Sequence, residues 1–309
     1  MKPLHLCMTV SFLLAACSLD RPEQDQPEQD RPAEAGISWE SAFVDVSGIR
    51  LHYWRTGAPG KPPWVLAHGI TDYGLNWTSL ARKFEDEYDM ILYDARGHGL
   101  SDQPDGPYDL DTHVEDLVGL IRTLGLEKPI LMGHSMGGST VALAAARYPE
   151  IPRGVILEDP GDMLLGDEAL PEEILPDWKE MVEADRAQGR EALVASARAE
   201  RHPGWTDLDY GLWAESKLLV DPDVVDILLG EGFGNAVETY PRISAPTLIL
   251  KADAEEDRRE VHRQLASSLV NGRLVHIDGA GHVIRNDRPE ETEWEIRRFL
   301  AGLSYDSEG

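Results

Sequence analysis

Residues 129–138 read PILMGHSMGG, and these ten residues constrain the fold more than any other stretch. An apolar run of strand type enters a turn made by Gly133, His134, Ser135, Met136 and Gly137. Residues 139–146, STVALAAA, then have the small, helix-favouring composition of a closely packed helix. A serine at such a strand–turn–helix junction sits on backbone too tight for bulky neighbours. The positions two before and two after it cannot carry bulky side chains, and Gly133 and Gly137 meet that need. The helix points its N-terminus at the serine hydroxyl, which favours negative charge there.

The rest of the chain supplies a frame for this turn. Residues 43–46 and 49–54 flank Ser47-Gly48, a hairpin signal. Residues 64–67, 90–93 and 130–132 are short apolar runs that stop at His, Asp or Gly, as buried parallel strands do. Further strands are expected at 155–157, 247–250 and 274–277. Thr112 and Glu115 have capping-box spacing, and Leu110, Val114, Leu117, Ile121 and Leu124 follow at helical intervals. A last amphipathic helix is expected over 291–300. Strand–helix alternation predicts a mostly parallel sheet covered on both faces, with function at the strands' C-terminal ends. Residues 161–240 break the rhythm. They are helical in composition (172–187, 190–201, 220–229) and carry Trp178, Trp205 and Trp213, so a helical cap over the strand ends is predicted.

Chemistry gathers where strands end. His68-Gly69-Ile70 follows the 64–67 strand, and the amides of Ile70 and Met136 are assigned as donors to an oxyanion. The loop 94–101, DARGHGLS, reads as structural, with Asp94 pairing Arg96 and His98 as a scaffold residue. A serine hydroxyl needs a base. His282, in Gly279-Ala280-Gly281-His282 beyond the last strand, is the candidate. His134 is expected to point elsewhere, and His262 and His276 to be helix and strand passengers. A carboxylate must then hold the imidazole. Asp253, after the 247–250 strand, is favoured by chain order, with Asp159 the alternative and Glu255 a third.

The N-terminus reads as an export signal. Lys2 precedes an apolar run from Leu4 to Leu14 that is too short to span a bilayer, and Leu14-Ala15-Ala16-Cys17 resembles a bacterial lipobox. That resemblance implies a lipoprotein signal peptide over residues 1–16 and acylation of Cys17, anchoring the protein to the cell envelope on its periplasmic or outer-membrane face, with a plain secretory signal cleaved at a nearby small residue as the alternative. The chain's 2 cysteines are Cys7 and Cys17, so the mature protein has no disulfide and no cysteine-based zinc site. Residues 18–36, with PEQD twice, read as a solvated acidic tether. The formal net charge of −27, from 56 acids against 29 Lys and Arg, disfavours nucleic acid as a partner. It also suits high-salt surroundings.

Residues 40–303 resemble the α/β-hydrolase superfamily, in its single-domain branch with a helical cap. The resemblance rests on His68-Gly69, the 94–101 loop, Gly133–Gly138 and Gly279-Ala280-Gly281-His282, in order and at family-like spacing. It implies an α/β-hydrolase domain over 37–305, an eight-stranded sheet, a Ser–His–acid triad, no cofactor and no metal. Ser at the elbow, rather than Asp, argues against the haloalkane dehalogenase and epoxide hydrolase branches, which need a carboxylate nucleophile. One departure is visible: Lys251-Ala252-Asp253 lacks the Gly that family members usually carry before the acid. The expected activity is hydrolysis of small or medium carboxylic esters, lactones included, through an acyl-serine. Cleavage of a carbon–carbon or amide bond is the alternative, and a lipid-anchored binding protein without catalysis the rival from another class.

Overall fold

The computed structural model describes residues 37–57, 60–161, 175–200, 204–229 and 232–303, all within the single unit Gly36–Gly309. The expected signal peptide, Cys17 and the expected acidic tether lie outside the described residues. In chain order the elements are β1 (Glu40–Val46), β2 (Ile49–Arg55), β3 (Pro63–Ala67), α1 (Thr78–Phe84), β4 (Asp89–Tyr93), α2 (Leu110–Thr123), β5 (Ile130–His134), α3 (Met136–Arg147) and β6 (Gly154–Glu158). Next come α4 (Leu175–Gln188), α5 (Arg190–Glu200), α6 (Asp207–Leu218), a 3-10 turn (Pro222–Leu228) and α7 (Ala236–Thr239). The chain closes with β7 (Thr247–Lys251), α8 (Glu256–Ala266), β8 (Gly272–His276), α9 (Ile284–Asp287) and α10 (Pro289–Ala301).

The eight strands form one sheet in the order β1-β2-β4-β3-β5-β6-β7-β8. β1 pairs antiparallel with β2, and β2 with β4; every later pairing is parallel. The turn between β1 and β2 needs two positive φ angles, which Ser47 (51°) and Gly48 (85°) supply. The inner parallel strands β3 to β7 are largely apolar on both faces because both are covered, whereas the edge strand β8 is only partly buried. Alternation sends Val65, Ile91, Leu131 and Val155 to one face, against Val114 and Leu117 of α2 and Val141 and Ala145 of α3. It sends Trp64, Leu66, Met90, Leu92 and Met132 to the other, against Phe84 of α1 and Ile296 and Leu300 of α10. Parallel strands with helical crossovers bring their C-terminal ends to one edge. The loops after β3, β5, β6, β7 and β8 therefore meet there.

Two local expectations are corrected. The N-cap of α2 is Asp109, whose side chain accepts from Thr112 N at 2.7 Å. Thr112 is thus inside the first turn, and Glu115 accepts from the Tyr148 hydroxyl at 2.7 Å instead of closing a capping box. Aspartate caps as well as threonine and comes earlier in the chain, so the helix starts there. Asp94 and Arg96 do not pair. Arg96 makes a two-point bond to buried Asp116 at 2.6 and 2.8 Å. Asp94 instead bonds His52 Nδ1 at 2.9 Å and accepts from the amides of Gly74 (2.7 Å) and Leu100 (3.0 Å).

Between β6 and β7 the described residues hold helices and no strand. α6 opens on a reciprocal cap between Thr206 and Asp209. It reaches the loop after β3, where Lys217 Nζ donates to Thr71 O at 2.8 Å and Thr71 Oγ1 at 2.6 Å. Asp209 accepts from Ser79 at 2.6 Å.

Candidate active site

Ser135 sits between β5 and α3 with φ 52° and ψ −116°, a conformation that costs an L-residue energy and persists only when its surroundings hold it. The neighbouring glycines make it possible. A Cβ on Gly133 would lie 2.0 Å from Gly137 O, and one on Gly137 would lie 2.2 Å from Ala67 O. The turn is tied down by its own backbone: Ser135 N donates to Glu158 O at 3.0 Å, Gly137 N to His68 O at 3.1 Å, and Gly161 N to Ser135 O at 3.0 Å.

His282 is brought to the same edge by the loop after β8. Its backbone carbonyl accepts from His134 Nε2 at 3.0 Å, and the two imidazole rings lie 4.6 Å apart. His134, the residue before the serine, therefore does not point away; it packs on His282. The His282 side chain stays 45% exposed, so a small molecule can reach it. His282 Nδ1 donates to Asp159 Oδ2 at 2.6 Å. Asp159 follows β6 by one residue, at φ 41°, and its amide is held by Leu250 O at 2.8 Å.

Asp253 is thus not the carboxylate beside His282. Its Oδ1 accepts from Arg259 at 2.5 Å and its Oδ2 from Gly279 N at 2.8 Å. Asp253 supports the root of the His282 loop, because β7 ends one strand further from Ser135 than β6 does. Glu255 stands exposed at the N-cap position of α8 and makes no side-chain cap hydrogen bond.

Burial pushes the Asp159 carboxyl up, but the hydrogen bond from His282 and the ammonium of Lys251 outweigh it and hold the group well below the usual carboxylate range. With Nδ1 committed as donor to an ionised acid, Nε2 of neutral His282 is left with a lone pair able to take a proton. On the other flank, His68 donates from Nδ1 to Gly69 O at 2.8 Å and accepts at Nε2 from Ala95 N at 2.9 Å. Burial lowers its pKa to about 3, so it is a neutral pin for the loop that carries Ile70. His98 pins the same residue, with Nε2 2.7 Å from Ile70 O. Among the described residues neither Ile70 N nor Met136 N donates to a backbone carbonyl, whereas the amides of Ser135 and Gly137 are both used.

Residues 62–288 match the family model described as the alpha/beta hydrolase fold. The chain belongs to the alpha/beta hydrolase family. Similar proteins include the AB hydrolase superfamily protein YfhM of Bacillus subtilis, 37% identical over 281 residues that cover 84% of this chain and 96% of that one. Epoxide hydrolase A of Mycobacterium tuberculosis is 26% identical over 318 residues, covering 84% and 97%. Among solved structures, an E-2-(acetamidomethylene)succinate hydrolase superposes with a TM-score of 0.70 at 26% identity, covering 85% of this chain and 100% of that one. The protein is a hydrolase enzyme of this family.

Beneath the site of this alpha/beta hydrolase lies a buried charge network that local sequence pattern does not announce. Arg285, three residues after His282, donates to both oxygens of Glu158, from its amide and from Nη1, each at 2.8 Å. Its guanidinium stacks 4.1 Å from the Trp77 ring centroid. Asp287 accepts from Gly281 N at 2.7 Å and from Trp205 Nε1 at 2.8 Å. The His282 loop is therefore clamped at Gly279, Gly281 and Arg285. Asp72, buried beside His134 Nδ1 at 3.4 Å, also faces Lys217 at 3.4 Å. Burial raises its pKa, and Lys217, His134 and Arg285 reverse this, leaving it well below the usual range. Burial lowers His134 in turn. The one visible signal was charge itself: Glu158 and Lys251 end otherwise apolar strands, where an ion must find a partner.

Proposed function

We propose that the enzyme hydrolyses carboxylic esters, lactones included, in two acyl-transfer steps. Ser135 Oγ attacks the carbonyl carbon as His282 Nε2 takes the hydroxyl proton, and the Ile70 and Met136 amides donate to the oxygen that becomes negative. The tetrahedral intermediate expels the alkoxide, which receives that proton from His282 and leaves as the alcohol. Water then attacks the acyl-serine, giving its proton to His282. The second collapse returns the proton to Ser135 and frees the acid. Asp159 stabilises the imidazolium in both steps.

The observation that carries this reading is the 2.6 Å bond from His282 Nδ1 to buried Asp159, on a loop held beside the strained serine turn. A serine at position 135 supports acyl transfer over epoxide opening, despite relatives named as epoxide hydrolases. An amide or carbon–carbon substrate is the second reading, favoured by the likeness to 2-(acetamidomethylene)succinate hydrolase and N-formylmaleamate deformylase. A panel of p-nitrophenyl acetate and butyrate, lactones, amides and vinylogous diketones separates the two. Esters are turned over fastest and Ser135→Ala abolishes the activity. Full activity in Ser135→Ala, or turnover confined to amides, refutes the ester reading. We further propose that Leu14-Ala15-Ala16-Cys17 directs lipidation at Cys17 and anchors the enzyme to the envelope. Radiolabelled palmitate enters the wild type and not Cys17→Ser if this holds; equal labelling of both, or of neither, contradicts it.

A further inference from the structure

We propose that Lys251 is a positioning residue of this site: its buried ammonium shares the Asp159 carboxylate with His282 and moves the working range of the base toward acid. This rests on the acyl-serine reading. Lys251 ends β7 and is 1% exposed. Its Nζ lies 2.5 Å from Asp159 Oδ1, while Oδ2 of the same carboxylate binds His282 Nδ1. The contact with Asp159 is an ion pair outside hydrogen-bond angles, and Nζ has no hydrogen-bond partner among the described residues. A buried cation so placed depends on Asp159 for compensation. It also opposes any second positive charge that the same carboxylate must support.

The other groups that face this array do not replace the ammonium. His134 lies against His282 from β5, with Asp72, Arg285 and Glu158 behind it. On the far side of Lys251, His262 of α8 and His276 of β8 stack at 5.3 Å, with Nδ1 of the first 3.0 Å from Nε2 of the second. Burial and then Lys251 bring His262 to about 4. His276 is lowered by burial, then by Arg259 and Lys251. Burial disfavours charge on both rings, and it is the Lys251 ammonium that Asp159 meets on its Oδ1 side. Asp159 in turn can support imidazolium on His282 with only part of its field, and protonation of the free base requires a lower pH.

The test is the pH profile of kcat/KM for p-nitrophenyl butyrate in the wild type and in Lys251→Met, Lys251→Gln and Lys251→Arg, with melting temperature and fluorophosphonate labelling of Ser135 measured alongside. Removing a charge this close is expected to move the acidic limb upward by about one pH unit in Met and Gln. Arg, which keeps the charge, leaves the limb in place. A purely structural role lowers melting temperature and kcat but does not move the limb. An unmoved limb in a folded neutral variant overturns the proposal, and so does an upward move in Lys251→Arg. A wild type that fails to label at Ser135 sinks the acyl-serine reading instead, so the two failures are distinguishable.

Discussion

Replacing each candidate acid by its amide distinguishes their roles sharply. In Asp159→Asn the charge that stabilises imidazolium is lost, and an amide NH2 facing Nδ1 favours the tautomer with hydrogen on Nε2, which cannot accept the Ser135 proton. Loss of this kind in a Ser–His–acid site costs about 10⁴ in kcat, or roughly 5 kcal/mol of transition-state stabilisation. A second cost falls on stability. Lys251 Nζ, 2.5 Å from Asp159 and buried, is left facing a neutral group, a penalty of about 3–5 kcal/mol that lowers the melting temperature by about 10 °C in a domain this size. Asp253→Asn removes the charge that pairs with Arg259 and leaves one acceptor oxygen for Arg259 and Gly279 N, at a side chain 44% exposed, and kcat/KM is expected to stay within about fivefold of wild type. The assay is p-nitrophenyl butyrate hydrolysis, normalised to burst amplitude so that only folded sites count. A 10³-fold loss in Asp253→Asn, or near-wild-type turnover in Asp159→Asn, refutes the assignment.

Other consequences follow from packing and charge. Gly137→Ala places a methyl 2.2 Å from Ala67 O, a backbone atom that cannot yield, so it should destabilise by about 2 kcal/mol or more and abolish phosphonate labelling; a stable, labelling variant contradicts the elbow geometry. His68 is neutral in the fold down to about pH 3 but takes a proton near pH 6.5 when unfolded. The unfolded state therefore binds more protons between these values, and stability falls as pH drops, by about 2 kcal/mol from pH 6.5 to 5. In His68→Gln, urea titrations should show a shallower decline over that window. Glu215 runs the other way. Burial raises it to about 7 against the opposing pull of Arg190 and Tyr73, so its ionisation costs stability as pH rises from 4.5 through 7. Glu215→Gln should raise the melting temperature more at pH 8 than at pH 5, and an equal effect at both would contradict the burial argument.

Much of this architecture could be read from local pattern. The apolar runs marked β3 to β7 because those strands are buried on both faces, and Gly133 and Gly137 marked the serine turn because any Cβ there strikes backbone. Ser47-Gly48 gave the hairpin for a similar local reason. What failed depended on strand order. Asp159 and Asp253 both follow strands, and only the adjacency of β6 to β5 decides which reaches His282. The Asp94–Arg96 pairing failed likewise, since Asp116 and His52 are distant in sequence but closer in space. His134 looked idle because nothing in its own segment shows that the loop after β8 folds back onto it. Lys251, noted as a departure from the family pattern, has its explanation in the carboxylate of the neighbouring strand.

The most direct measurement is the mass of the enzyme quenched in acid during p-nitrophenyl butyrate turnover. One butyryl group is expected on the peptide that carries Ser135, accumulating in the wild type and absent in Ser135→Ala, with formation slowed by orders of magnitude in His282→Gln. An unmodified protein during sustained turnover, or a butyryl group on any other residue, would contradict the account.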